Sequence, residues 1–296
     1  MALRLANAPV SWAVFTADAA SNPPWERVLD EVAGAGYRFI ELGPIGFMPP
    51  DSAVLGPALA SRGLAVPGTF LYEDLHRPEA HEEILERARL ICGLLRELGA
   101  SNLVAIDAMS VERAATAGRS AAATRLGPAA WRELVKLVND VARLASEFGL
   151  KAVFHPHAGT YVEFADEIDR LLGETDPTTL DLCVDTGHAA YAGVDPVALT
   201  RKHAPRVSYL HLKDVDGRVL ERVHSEALDF DSALAAGIFC PLGRGVVDFP
   251  ALRTLLDELG YCGYATVEQD VDPAAPSDPA AAAAESLSYL ESVGLA

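Results

Sequence analysis

From end to end the chain alternates between short apolar runs rich in β-forming residues and longer stretches whose apolar positions fall at helical spacing. Eight runs read as strands: Leu5–Trp12, Arg38–Leu42, Ala65–Leu71, Asn102–Ile106, Lys151–His157, Leu180–Asp185, Val207–Leu212 and Tyr264–Glu268. Helices are predicted to begin near Trp25, Ser52, Pro78, Pro128, Glu163, Pro196, Phe249 and Pro279, one after each strand. Strict alternation with near-continuous apolar strands predicts a parallel sheet covered by helices. A closed barrel and an open doubly wound sheet both satisfy that pattern. An open dinucleotide-binding sheet needs a glycine-rich turn after its first strand, but Leu5–Trp12 runs into Ala13-Val14-Phe15, with no GxGxxG and no P-loop. The pattern therefore predicts an α/β fold, a (βα)8 TIM barrel, as one domain over 1–296.

Three segments depart from the regular period. Met109–Leu126 is an Arg- and Ala-rich loop, long enough for a lid or an interface. Lys213–Arg244 separates the seventh strand from its helix and contains one short extra helix, Phe230–Ala236. Val271–Asp278 is a Pro/Ala-rich bend before the last helix.

The charge narrows the function. Lys and Arg number 24 against 42 Asp and Glu, a net −18. A surface that acidic repels phosphate backbones and anionic headgroups, so no nucleic-acid and no membrane partner is expected. Met1 to Val10 lacks the apolar run of a signal peptide, and no stretch approaches a transmembrane span. Cys92, Cys183, Cys240 and Cys262 share no CxxC spacing and read as buried thiols of a reducing cytoplasm.

In a barrel of this kind, chemistry collects where the strands end. Polar residues stand there repeatedly: Glu41 after the second strand, His155 and His157 at the fifth, Asp185 and His188 at the sixth, His211 and Lys213 at the seventh, and Glu268 at the eighth. One histidine at a strand end is ordinarily a hydrogen-bonded core residue, and Asp185 before Thr186-Gly187-His188 is a natural helix cap. Four consecutive strands each ending in a metal-competent residue are harder to explain that way. His155, Asp185, His211 and Glu268 are therefore expected to share a divalent cation, which removes the cost of burying them. Two imidazoles and two carboxylates suit Mn²⁺ or Co²⁺, with Zn²⁺ or Fe²⁺ also compatible, better than Ca²⁺ or Mg²⁺.

Asp185-Thr186-Gly187-His188, His211-Leu212-Lys213-Asp214 and Val267-Glu268-Gln269-Asp270 resemble the xylose isomerase-like TIM-barrel superfamily. Asn7-Ala8-Pro9-Val10-Ser11-Trp12, Glu41-Leu42-Gly43-Pro44, His157-Ala158-Gly159-Thr160 and Pro241-Leu242-Gly243-Arg244-Gly245 are most similar to its inosose dehydratase subgroup. The resemblance implies one metal ligand from each of strands five to eight, hence the same four residues. Much of the superfamily has Glu where this chain has His155, with Glu163 as a weaker substitute ligand. It further implies a lyase that dehydrates a cyclic polyhydroxy ketone through a metal-stabilised enediolate. A keto-sugar isomerase or epimerase on the same metal is the alternative, and homo-oligomerisation is compatible with the resemblance. An abasic-site endonuclease on this barrel is disfavoured by the −18 charge and by only four apparent ligands.

In that reading His157, two residues past His155 and on the same strand face, is the base and titrates near neutrality. Lys213, in the same relation to His211, is the acid or oxyanion partner, its pKa lowered by the neighbouring cation. Glu41 is a second acid/base or hydroxyl ligand. His188 binds a substrate hydroxyl. Trp12, Phe70 and Phe47 form a wall against the ring, and Arg244 contacts substrate or nearby carboxylates. The substrate is a small cyclitol or keto-sugar, met in the cytoplasm.

Overall fold

Parallel ladders run through eight strands in a computed structural model that describes residues 3–275 and 278–296. Met1 and Ala2, within the expected absence of a signal peptide, and Pro276 and Ser277, within the expected bend, lie outside the described residues. The elements are, in order, β1 (Arg4–Asn7), α1 (Trp25–Gly34), β2 (Phe39–Ile40), α2 (Ser52–Ala60), β3 (Gly68–Glu73), α3 (His81–Glu97) and β4 (Asn102–Asp107). Then come α4 (Val111–Ala114), α5 (Pro128–Glu147), β5 (Lys151–Phe154), α6 (Ala165–Glu174), β6 (Leu180–Asp185), α7 (Thr186–Tyr191) and α8 (Pro196–Lys202). The chain finishes with β7 (Val207–Leu212), β8 (Asp214–Val215), α9 (Gly217–Ser225), α10 (Phe230–Ala235), β9 (Phe239–Cys240), α11 (Phe249–Leu259), β10 (Tyr264–Val267) and α12 (Pro279–Val293).

The sheet order is β2-β1-β10-β7-β6-β5-β4-β3, every neighbouring pair parallel. Its two ends meet through one parallel bridge, Phe39 to Ala65, so the sheet curls round on itself as expected of the barrel. Helices cover the outside. The main core fills the layer between strands and helices, with Leu5, Leu103, Leu182 and Leu210 from the sheet against Leu29, Leu95, Leu137 and Leu256 from the helices. A second apolar set, including Val104, Val153, Cys183 and Tyr209, fills the barrel interior.

Several element ends differ from the sequence reading, and a proline accounts for those of β1 and β5. β1 stops at Asn7, because Pro9 offers no ladder N–H, and Pro9–Trp12 forms a 3₁₀ turn instead. β5 stops at Phe154 before Pro156, so His155 and His157 lie just past the strand. The seventh-strand insertion holds more than one helix: Asp214–Val215 pairs antiparallel with Phe239–Cys240, enclosing α9 and α10. Cys92 and Cys183 are buried, but Cys240 is half-buried and Cys262 exposed, which corrects the expectation for that pair. Among the described residues no helix is long and apolar enough to cross a membrane.

Candidate active site

The four expected ligands converge. His155, Asp185, His211 and Glu268 offer donor atoms that all lie within 4.8 Å of one another, and all four side chains are buried. They come from the ends of β5, β6, β7 and β10, which are consecutive neighbours in the sheet. His155 Nε2 is 3.4 Å from Asp185 Oδ2, and His211 Nδ1 is 3.2 Å from Glu268 Oε2. His155 Nδ1 donates to Pro156 O at 2.7 Å, leaving the Nε2 lone pair turned into the cluster. Asp185 Oδ1 caps α7 by accepting from His188 N, while its Oδ2 has no hydrogen-bond partner among the described residues. His211 Nδ1 likewise has none. Two buried polar atoms without hydrogen-bond partners, aimed at one point in a mixed N/O donor set, fit a divalent cation.

A second layer of titratable groups adjoins the first. Lys213 is 2 % exposed, and its Nζ lies 2.9 Å from Asp270 Oδ1, 3.2 Å from Glu268 Oε2 and 3.0 Å from His188 Nε2. Burial pulls its ammonium down, but Asp270, Asp185 and Glu268 outweigh it and hold the group above its ordinary pKa. The lowering expected of Lys213 belongs to an ion-loaded centre. His157 is shifted in the opposite direction. Burial first, and then the neighbouring His188, His155 and Lys213, keep its imidazole neutral, well below the usual range rather than near neutrality. His188 is lowered for the same reasons, burial and then Lys213. The His157 and His188 rings are 3.7 Å apart between centroids.

The insertion between β7 and α11 roofs this layer. Phe230 approaches His157 at 5.8 Å and Phe239 approaches His188 at 5.2 Å, while Lys213 Nζ sits 5.0 Å over the Phe239 ring. A cavity of about 290 Å³ opens beside the cluster, lined by Ser11, Phe239, Gln269 and Asp270 among others. On the far side, the long loop after β4 is pinned. Arg113 is fully buried between Glu163 (3.2 Å) and Glu167 (2.8 Å), and Glu163 accepts from Gly118 N and Gly159 N. Glu163 is engaged there and is not among the clustered ligand atoms.

Other expected site residues lie elsewhere. Trp12 packs in the main core, its indole N–H donating to Glu31 on α1 at 2.5 Å, and Phe47 is buried in the same core. Arg244 is exposed on the turn before α11 and paired with Glu285 at 2.7 Å. Phe70 packs in the barrel interior with Val104, Val153, Cys183 and Tyr209, one layer below the ligands. Glu41 is fully buried behind His211 instead of standing at the mouth, with its Oε1 3.0 Å from His211 Nε2. Asp270, Phe230, Phe239 and Tyr72, whose ring is 6.3 Å from that of His157, also stand at the site, beyond what the strand-end pattern picks out. Asp270 carried a readable signal, standing two residues past Glu268; the aromatics are set by loop packing alone.

A family model for the xylose isomerase-like TIM barrel matches residues 29–293. An inosose dehydratase of Geobacillus kaustophilus (strain HTA426) is 36 % identical over 277 residues, covering 92 % of this chain and 88 % of that protein. The rhizopine catabolism protein MocC of Rhizobium meliloti is 34 % identical over 274 residues, covering 92 % and 83 %. The crystal structure of the IOLI protein with a binding zinc atom superposes with a TM-score of 0.72 at 16 % identity, covering 98 % of each chain. The chain belongs to the xylose isomerase-like TIM-barrel family.

Proposed function

We propose that this protein is a divalent-metal-dependent hydro-lyase that dehydrates a cyclic polyhydroxy ketone, with inosose (2-keto-myo-inositol) as substrate. The observation that carries this reading is geometric: four buried donors within 4.8 Å of one another, with Lys213 Nζ 3.2 Å from Glu268 Oε2 and 2.9 Å from Asp270 Oδ1, and His157 alongside. Burial holds His157 low and the facing carboxylates hold Lys213 high, the directions that suit a base and an acid. The relatives named inosose dehydratase support the substrate, and the donor set supports Mn²⁺ or Co²⁺. His155, Asp185, His211 and Glu268 would hold the ion, which when bound supplies Lewis-acid polarisation of a ketone and charge stabilisation of an enediolate.

The chain's own groups do the proton work. His157 donates its Nδ1–H to Ala158 O at 2.8 Å, so its Nε2 lone pair is free to take the proton from the carbon next to the ketone. Lys213 gives a proton to the departing hydroxyl as the C–O bond breaks. One water leaves, and both groups are restored by exchange of one proton. Asp270 keeps Lys213 charged until that moment, and His188 is placed to orient a substrate hydroxyl. Phe230 and Phe239 exclude water from the layer. A free, uncharged cyclitol of the cytoplasm suits a protein of net charge −18.

The test is metal content by mass spectrometry on protein purified without chelator, with 2-keto-myo-inositol turnover followed by absorbance. About one metal per chain is expected, with product lost in EDTA and restored by Mn²⁺ or Co²⁺. Lys213→Met should lower kcat by roughly 10²–10⁴-fold. Metal without turnover would overturn the substrate, and no metal uptake would overturn the centre itself.

A further inference from the structure

Glu41 is a carboxylate with no exposure at all, placed immediately after β2. Three donors converge on one of its oxygens. Oε1 accepts from Tyr209 OH at 2.9 Å, from Thr266 Oγ1 at 2.6 Å and from His211 Nε2 at 3.0 Å. The register explains the convergence: Thr266 on β10 is paired directly with His211 on β7, and Tyr209 lies two residues before His211 on the same strand face. A buried carboxylate is costly unless it is hydrogen-bonded, and this one is held from two strands at once.

The contact fixes the chemistry of His211. An ion-ligating imidazole is neutral with one N–H, and a carboxylate can only accept, so in that state Nε2 carries the proton. Nδ1, 3.2 Å from Glu268 Oε2 and 3.8 Å from Asp185 Oδ2 and facing the centre of the cluster, is then the lone pair offered to the ion. His211 also stands between Glu41 and that centre, and Glu41 has no solvent-facing surface from which to reach a substrate hydroxyl.

We propose that Glu41 is a positioning residue of the ion centre: clamped by Tyr209 and Thr266, it fixes the tautomer and ring orientation of His211 and makes it a better ligand. It moves no proton to or from substrate. This inference rests on the proposed metal centre, and its test separates the two.

Co²⁺ is titrated calorimetrically into metal-free wild type, Glu41→Gln, Glu41→Ala and Tyr209→Phe, with the visible spectrum of each Co²⁺ protein recorded. Far-UV circular dichroism and urea midpoints identify variants that fold. Glu41→Gln keeps the shape and loses the charge, so it remains informative if Glu41→Ala does not fold. A 10- to 100-fold weaker Co²⁺ affinity is expected for the Glu41 variants, with an altered visible band and a smaller loss for Tyr209→Phe. Saturating Co²⁺ should restore most turnover in Glu41→Gln with KM near the wild-type value. Unchanged Co²⁺ affinity and spectrum would overturn the proposal, as would a kcat that stays low at saturating Co²⁺ while affinity is intact. If wild type itself takes up no ion, the metal reading falls and this inference falls with it, a result distinct from either of the others.

Discussion

Lys213 and Gly187 compete for the same few ångströms of the barrel mouth. A Cβ at Gly187 would lie 2.6 Å from Lys213 Cγ and 2.7 Å from its Cβ. The backbone of Lys213 has nowhere to retreat, since its N–H donates to Thr186 Oγ1 at 2.9 Å and its carbonyl accepts from the same hydroxyl at 2.7 Å. Gly187 is therefore needed for close approach, within an ordinary helical turn. Gly187→Ala should push the lysine stem aside and draw Nζ away from Asp270 and His188. The expected cost is roughly 1–3 kcal/mol of stability from overpacking. Turnover should fall by about 10²-fold, as for a misplacement on the order of 1 Å. Urea unfolding and kcat on one preparation would check both, and wild-type kcat in this variant would remove Lys213 from the acid role. The cluster of His155, Asp185, His211 and Glu268 with Lys213 beside it was legible because each is a polar residue at the end of an apolar run. The positions of Glu41 and Asp270 against their partners were not, because they depend on which strands meet across the barrel.

Among the elements, the long loop after β4 is irregular and pinned by a buried ion pair. Arg113 on α4 lies buried between Glu163 and Glu167, and Glu163 ties Gly118 of that loop to Gly159 of the turn that carries His157. Burial, opposed by the Gly118 amide and by Arg113, pushes the Glu163 carboxyl up to about 7. Its folded pKa is thus raised above the unfolded value of 4.5, and the folded state holds this proton more tightly. The stability it contributes is fully present below pH 4.5 and is lost as pH rises through 7. The span is on the order of 3 kcal/mol. Glu163→Gln cannot lose that proton, so it should gain on wild type between pH 5 and pH 8. Paired urea melts at those two pH values would read the gain, and a constant difference would mean that Glu163 titrates normally. The strands were legible as apolar runs and the helix starts as prolines and caps; β6 and β7 have the expected bounds, and α1, α2, α5, α8, α11 and α12 the expected starts. The β8–β9 hairpin was not, since two-residue strands carry no period. It is anchored by Asp214, whose carboxylate collects the distant amides of Gly243, Gly245 and Val247.

For the whole molecule, the candidate centre is a cross-link as well as a site. Its ligands come from four strands adjacent in the sheet, β5, β6, β7 and β10, and two of those strands are more than a hundred residues apart in the chain. An ion bound there must be released or stripped of ligands before the barrel can open. Around it stand four carboxylates, Asp185, Glu268, Asp270 and, behind His211, Glu41, answered by the ammonium of Lys213. A divalent ion would offset the excess negative charge locally. By mass action, an ion present at 100 times its Kd stabilises the folded state by about 2.7 kcal/mol. At roughly 2–4 °C per kcal/mol for a chain near this size, that is a rise in Tm of roughly 5–10 °C. EDTA should therefore lower Tm by that amount and Mn²⁺ or Co²⁺ restore it. Asp185→Asn, which takes one charged ligand from the middle of the set, should start lower than the ion-loaded wild type and respond little to either reagent. An EDTA shift of equal size in Asp185→Asn would place the stabilising ion elsewhere on this acidic surface, because a cation bound by surface carboxylates would not depend on one buried at the end of β6.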